Sequence, residues 1–331
     1  MLKIGLLLII LFIIGVLYDM YKKKQEKESA KTDYDLVEKY LLNEDRKNNV
    51  INSKHKPLLW IHMNMEKNSR NWLSFGSRNT TCLNQPYILL CIKSIIDKCG
   101  EHFNICLIND DSFKKLLSNN EFNVELTRLG EPVKNHMRQL AMMKVLYKYG
   151  GMIVPSSFIC MKSLYPLYLE NASHSSSGPQ CFSIELSNHN EYTSEYFPSV
   201  KFMGASSGNS SIKKLVEFIE KEISNDFTNE IDFNGQINRK VFELIQDDKM
   251  KNINCNKIGV VDSENEKVNI DRLVNNSPLI LHDDAVGLYI PKEQLKKRTK
   301  YEWFIRLSHK QILESNTNIG KYLLLATANR F

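Results

Sequence analysis

No two cysteines in this chain stand at Cys-x-x-Cys spacing; the seven lie at Cys82, Cys91, Cys99, Cys106, Cys160, Cys181 and Cys255. That excludes the zinc frameworks whose ligands come in closely spaced pairs. An odd count in a chain of 331 residues also argues against a disulfide framework. Cys91 and Cys99 sit in apolar stretches and read as buried free thiols. There is no RRM-type aromatic motif and no dense Lys/Arg stripe, so nucleic acid is not expected as a partner. Internal repeats and low-complexity tracts are absent too. The net charge is only +6, with both signs mixed throughout. An excess of this size suits a protein near anionic lipid or a phosphate-bearing ligand.

What is present is ordinary globular material, 42% hydrophobic and 25% charged. The residues after about position 57 suffice for one large α/β domain with a sizeable core. Ahead of it, Ile4 to Tyr18 carries no charge and is rich in Leu, Ile, Val and Phe. As a helix it spans roughly 22 Å, short of a hydrocarbon core of about 30 Å. Snorkelling by Lys3 and Lys22 covers the deficit. No small-x-small site follows, so residues 1–21 are expected to be an uncleaved single-pass membrane anchor. A cleaved signal peptide and a buried helix are the other readings. Residues 22–56 are charged and poor in aromatics and read as a stem, with an amphipathic pattern from Asp33 to Leu42.

The domain over residues 57–331 opens on Pro57 to Met63, a buried strand. Tyr87 to Cys99 has apolar residues at helical spacing and stops at Gly100. Phe103 to Ile108 is a second strand, and Asn109-Asp110-Asp111-Ser112 reads as the cap of a helix over Phe113 to Leu117. Met137 to Tyr149 is a helix ended by Gly150-Gly151. Met152 to Val154 is a third strand, closed by Pro155. Ser199 to Ala205 and Ser210 to Ile223 read as a further strand and helix, and Leu279 to Leu281 as a late strand. The alternation makes this an α/β sheet.

Leu140-Ala141-Met142-Met143-Lys144-Val145-Leu146-Tyr147-Lys148-Tyr149-Gly150-Gly151-Met152-Ile153-Val154-Pro155-Ser156-Ser157 resembles the helix, Tyr-Gly-Gly and strand of GT-A type glycosyltransferases of the capsular-polysaccharide-synthesis and mannosyltransferase family. Trp60-Ile61-His62 resembles that family's opening strand, and Lys201 to Asn209 a later strand and helix start. Phe233-Asn234-Gly235 stands at its Thr-Gly-Pro turn. The resemblance covers roughly residues 57 to 290. It implies a GT-A-like, Rossmann-type mixed sheet, a nucleotide-sugar donor, a glycan or lipid acceptor, and retention at the anomeric carbon. In that family two aspartates end the third strand and hold Mn²⁺ or Mg²⁺ against the diphosphate. Here those places are Pro155 and Ser157, and the family's upstream Asp and Arg fall on Gln139 and Met142. Metal-dependent donor binding is therefore not expected, and no cofactor or metal ligand is assigned.

Direct charge can replace the metal. Arg138 and His136 could hold a diphosphate, although a surface arginine and a helix-start histidine are equally ordinary. His62, Arg70, Ser156 and Ser157 complete the candidate donor set. Glu185 is a candidate acceptor-side carboxylate at a strand end, and His282-Asp283 a candidate catalytic pair; a solvated strand residue and a polar turn are their plain alternatives. Lys22-Lys23-Lys24 places the domain in the cytosol by the positive-inside rule, whereas membrane-anchored glycosyltransferases face the lumen. The orientation stays open. So does a second reading, a catalytically inactive binding or scaffold protein that keeps the fold.

Overall fold

The computed structural model describes residues 9–21, 24, 35, 39–42, 56–63, 86–173, 178–187, 196–225, 230–297 and 299–328. Its centre is a six-stranded sheet in the order β2-β1-β3-β6-β5-β7. The strands are β1 (Leu58–His62), β2 (Asn104–Ile108), β3 (Gly151–Ile153), β5 (Cys181–Ser187), β6 (Tyr196–Ala205) and β7 (Lys251–Ile253). β1 pairs in parallel with β2 and β3, and β5 with β7; β6 runs antiparallel between β3 and β5. Such a mixed, mostly parallel sheet is compatible with a glycosyltransferase fold. β4 (Phe158–Cys160) and β8 (Gly287–Tyr289) form a separate antiparallel pair.

Period-two alternation explains the layers. In β1, Leu59 and Ile61 enter a core shared with helix α1 (Pro86–Cys99), while Leu58 and Trp60 enter a second core with α3 (Val133–Tyr149), α5 (Ser210–Ile223) and α6 (Glu230–Gln246). A central strand buried on both faces must be apolar throughout, as Leu-Leu-Trp-Ile is. The short helices α2 (Ser112–Leu116) and α4 (Tyr165–Ala172) fill gaps between these elements. Toward the C-terminus, α7 (Ile270–Val274) and α8 (Lys292–Lys297) are followed by α9 (Glu302–Ile305), α10 (His309–Leu313) and α11 (Asn318–Thr327). Apolar residues of α9 to α11, Phe304, Ile312, Ile319 and Leu323, join the first core. The tail aromatics divide: Tyr301 and Phe304 are buried, Trp303 is exposed.

The Gly150-Gly151 turn is tight for a steric reason. Both glycines have positive φ, 68° and 99°. A Cβ on Gly151 would lie 2.2 Å from the Leu58 carbonyl oxygen, and one on Gly150 2.6 Å from the Ser207 nitrogen. Only glycine lets α3 end and β3 begin flush against β1. The Trp60 indole N–H then donates to the Gly150 carbonyl at 2.8 Å, fastening the turn to the sheet.

Several expectations need correction. Phe233-Asn234-Gly235 is not a turn; it lies inside α6. Leu279 to Leu281 is not a strand, and the late strand is Gly287–Tyr289. Glu185 is not at the end of its strand, since β5 continues to Ser187. Part of the expected stem also contacts the domain. Leu41 bridges Leu107 in parallel, and the Leu42 N–H donates to the Leu107 carbonyl at 2.9 Å, so the chain docks on the β2 edge. Residues 9–21 are helical and their apolar side chains are exposed. Among the described residues no helix is long and apolar enough to cross a membrane. Residues 1–8 of the expected anchor lie outside the described residues.

Candidate functional site

The parallel strands β1, β2 and β3 all end at one edge of the sheet, where open α/β sheets receive ligands. His62 is the last residue of β1. Asp110 comes two residues after β2. Ser156 and Ser157 follow β3 by way of Val154, whose N–H still donates to the Trp60 carbonyl. Arg138 reaches the same edge from the second turn of α3.

His62, Asp110 and Arg138 form one hydrogen-bonded group, and Ser156 and Ser157 a second beside it. Arg138 grips Asp110 with both arms: Nε donates to Oδ1 at 2.8 Å and Nη2 to Oδ2 at 2.7 Å. Its Nη1 donates to Glu131 Oε1 at 3.2 Å and to Asn135 Oδ1 at 3.0 Å. His62 Nε2 lies 3.1 Å from Asp110 Oδ1. Lys134 adds a longer ion pair to Asp110 Oδ2, at 4.0 Å. The His62 ring stacks on Phe113, with centroids 5.4 Å apart.

Protonation states follow from these partners. Burial alone would push the Asp110 carboxyl up. The hydrogen bonds from His62 and Arg138, with their charge, outweigh it and hold the group well below the usual carboxylate range. Asp110 is thus ionised and only accepts, so His62 Nε2 carries the proton. Burial pulls the imidazole below its ordinary value. Asp110 opposes this, while the charges of Lys292 and Arg138 add to the lowering. His62 is therefore neutral near pH 7.

Lys292 closes the cluster from the other side. Ser157 is buried, and its hydroxyl donates to the Ile290 carbonyl at 2.7 Å, which ties the end of β3 to the segment after β8. The Ile290 N–H returns the bond to the Ser157 carbonyl. This double stitch sets α8 beside Ser156, and Lys292 Nζ donates to Ser156 Oγ at 3.1 Å. Lys134 and Arg138 face the carboxylates Asp110 and Glu131, and the charge of Lys292 is felt at His62.

A divalent cation does not fit this set. The strand end offers Pro155 and two serines, and Asp110 is already held by Arg138. Hard cations need several oxygen ligands, carboxylates foremost. Among the described residues no group of three or more His, Cys, Asp or Glu side chains could hold a metal ion.

Of the expected site residues, His62, Arg138 and Ser156 come together here, and Ser157 serves as the stitch. His136, Glu185, His282 and Asp283 have other partners. His136 is buried and stacks on Phe233 with centroids 3.7 Å apart, so it packs between α3 and α6. Burial lowers its pKa, and its Nε2 has no hydrogen-bond partner among the described residues. The Glu185 carboxylate accepts from Asn252 Nδ2 at 2.6 Å and from the Cys255 N–H at 3.3 Å. His282-Asp283-Asp284 is a turn: the Asp283 carbonyl accepts from Lys162 Nζ, and Asp284 pairs with Lys257 at 2.8 Å. Arg70 lies outside the described residues.

Asp110 and Lys292 were not singled out from sequence. Asn109-Asp110-Asp111 is only partly the expected cap. Asn109 Oδ1 accepts the Ser112 N–H at 2.9 Å, and Asp111 makes no side-chain cap bond. With the cap already supplied by Asn109, Asp110 serves Arg138. The signal was available: an acid beyond the cap, two residues after a parallel strand.

No family model matches this chain, and no curated protein sequence matches it. Among solved structures it is similar to one titled PaToxG Glycosyltransferase, at 10% sequence identity and a TM-score of 0.31, over 68% of this chain and 80% of that one. A likeness at that score is weak, and the functional reading rests on the site's own geometry.

Proposed function

We propose that the chain is a glycosyltransferase-like protein that holds the diphosphate of a nucleotide sugar at the carboxyl ends of β1, β2 and β3, without a divalent metal, and transfers a hexose to a glycan or lipid acceptor. One observation carries this reading: the Lys292 ammonium bonds Ser156 at 3.1 Å, between Pro155 and Ser157. In the family that the Tyr-Gly-Gly segment resembles, those two positions are the metal-binding aspartates. Here a protein cation takes the place of the metal. An ammonium neutralises a departing diphosphate by the same electrostatic logic, and it needs no carboxylates to hold it. Neutral His62 supplies a polar wall without adding charge. Arg138, with both arms on Asp110, positions that wall and does not itself reach the phosphates. Residues 1–21 would anchor the domain at a membrane, near a lipid-linked acceptor.

A second reading has its own support. The Ser157–Ile290 bond gives a metal-ligand position of the resembled family a structural role, and the bidentate Arg138–Asp110 pair engages the nearby arginine and carboxylate with each other. A binding or scaffold protein that kept the fold would look like this. Thermal-shift screening with UDP-, GDP- and CMP-sugars separates the cases. Stabilisation by a nucleotide sugar with no released nucleotide points to binding alone, and stabilisation with release points to transfer. No stabilisation by any of them ends both donor-based readings.

A further inference from the structure

Away from the strand-end cluster, two cysteines meet in the core. Cys99 is the last residue of α1 and Cys160 the last of β4; their sulfurs are 3.7 Å apart, and neither residue is exposed. That is van der Waals contact between two reduced thiols. The disulfide bond length is about 2.0 Å, so closure brings the sulfurs about 1.7 Å nearer, within reach of small side-chain rotations. Of the six cysteines described, this is the pair joined by an Sγ–Sγ contact. Both partners are held in place: the Cys160 N–H donates to Ser94 Oγ at 2.9 Å, and Ser94 lies in the same helix as Cys99.

We propose that Cys99 and Cys160 form an intrachain disulfide when the protein meets a disulfide oxidant such as oxidised glutathione. The Cys99 thiolate attacks one glutathione sulfur and displaces the first glutathione thiolate. Cys160 then loses its proton and attacks the Cys99 sulfur of the mixed disulfide, releasing the second. Two protein thiols are oxidised, one glutathione disulfide is reduced to two glutathione thiols, and the two thiol protons end on glutathione. The order follows from the environments. The contact with Cys160 lowers the Cys99 thiol, while burial raises Cys160. Access comes through opening of the last turn of α1, which ends at the Gly100 turn.

The bond would have a defined mechanical effect. β4 pairs with β8, and the segment after β8 carries Lys292. A Cys99–Cys160 link therefore ties α1 to the small sheet that positions that lysine. The inference does not depend on what the strand-end site binds.

The test exposes the folded full chain to excess oxidised glutathione, blocks the remaining thiols with iodoacetamide in denaturant, and maps linked peptides by mass spectrometry. The expected result is a Cys99–Cys160 peptide pair, two fewer alkylated thiols, a Tm raised by several degrees, and reversal of all three by dithiothreitol. Cys99→Ser and Cys160→Ser should each abolish the pair while retaining the circular dichroism of the parent. Absence of the pair, its appearance only in denaturant, or linkage of either cysteine to other partners in the folded chain would overturn the proposal.

Discussion

Replacing Asp110 by asparagine removes one negative charge from the strand-end cluster and leaves its outline unchanged. Asp110 accepts from Arg138 at 2.8 and 2.7 Å and from His62 at 3.1 Å. An asparagine oxygen keeps one of the arginine bonds. Its amide nitrogen then faces the other guanidinium donor, and the charge term vanishes. Arg138 is buried, with its side chain only 8% exposed, so it does not escape to water. Breaking a buried pair on one side costs about 3–5 kcal/mol. Asp110 is 20% exposed and Glu131 and Asn135 still hold Arg138, which places Asp110→Asn near the low end, about 3 kcal/mol. Arg138→Met leaves Asp110 with only the His62 hydrogen bond and the longer Lys134 pair. The double variant should be less destabilised than the sum of the singles, with a coupling of about 2 kcal/mol. Urea denaturation followed by tryptophan fluorescence measures all four corners of the cycle. A loss below about 0.5 kcal/mol for Asp110→Asn, with additive singles, would refute the account of the cluster.

The pH dependence carries the same reasoning further. The folded pKa of Asp110 is depressed. Its contribution is therefore complete above the unfolded carboxylate value of about 4 and is lost as pH falls toward the folded value. Asp110→Asn should flatten the acid limb of the stability curve below about pH 4. His62 is also depressed, so the unfolded chain takes up its proton first and stability falls as pH drops below about 6.5. Without the opposing carboxylate the folded imidazole goes lower still. The variant should lose more stability than the parent between about pH 7 and 5.

Other positions make narrower predictions. Gly151→Ala puts a Cβ against the Leu58 carbonyl at a φ of 99° and should cost about 3 kcal/mol or more, read as a lowered urea midpoint. Trp60→Phe removes the indole bond to Gly150 and leaves a void in a fully buried position; a loss of about 2–4 kcal/mol is expected in the same assay. Glu185→Gln should leave nucleotide affinity within about twofold in calorimetry, because its carboxylate is engaged with Asn252 and Cys255 away from the cluster.

Local chemistry made much of the fold legible. Apolar spacing places α5 at Ser210–Ile223 from sequence alone, and the glycine pair marks the α3–β3 turn. Errors arose where a distant partner decides the outcome. Phe233-Asn234-Gly235 has turn composition, yet Phe233 stacks on His136 and Asn234 Oδ1 accepts from Gln139 Nε2 at 2.6 Å, which keeps the segment helical against α3. Leu279 to Leu281 is apolar enough for a strand but has no ladder to join. The candidate site was half legible. His62 and Arg138 stand on elements whose periodicity is plain. Asp110 is 28 residues from Arg138, and Lys292 is 136 from Ser156, separations at which no spacing rule operates.

The central claim is that Lys292, not a divalent ion, holds a nucleotide diphosphate at the strand ends. Isothermal titration of the parent and Lys292→Ala with the nucleotide sugar that gives the largest thermal shift, in EDTA and in Mn²⁺, tests it most directly. The account predicts equal parent affinity in both buffers, and a loss of tenfold or more in the variant while it keeps the circular dichroism of the parent. A parent that binds only with Mn²⁺, or a variant that binds as tightly as the parent, would contradict it.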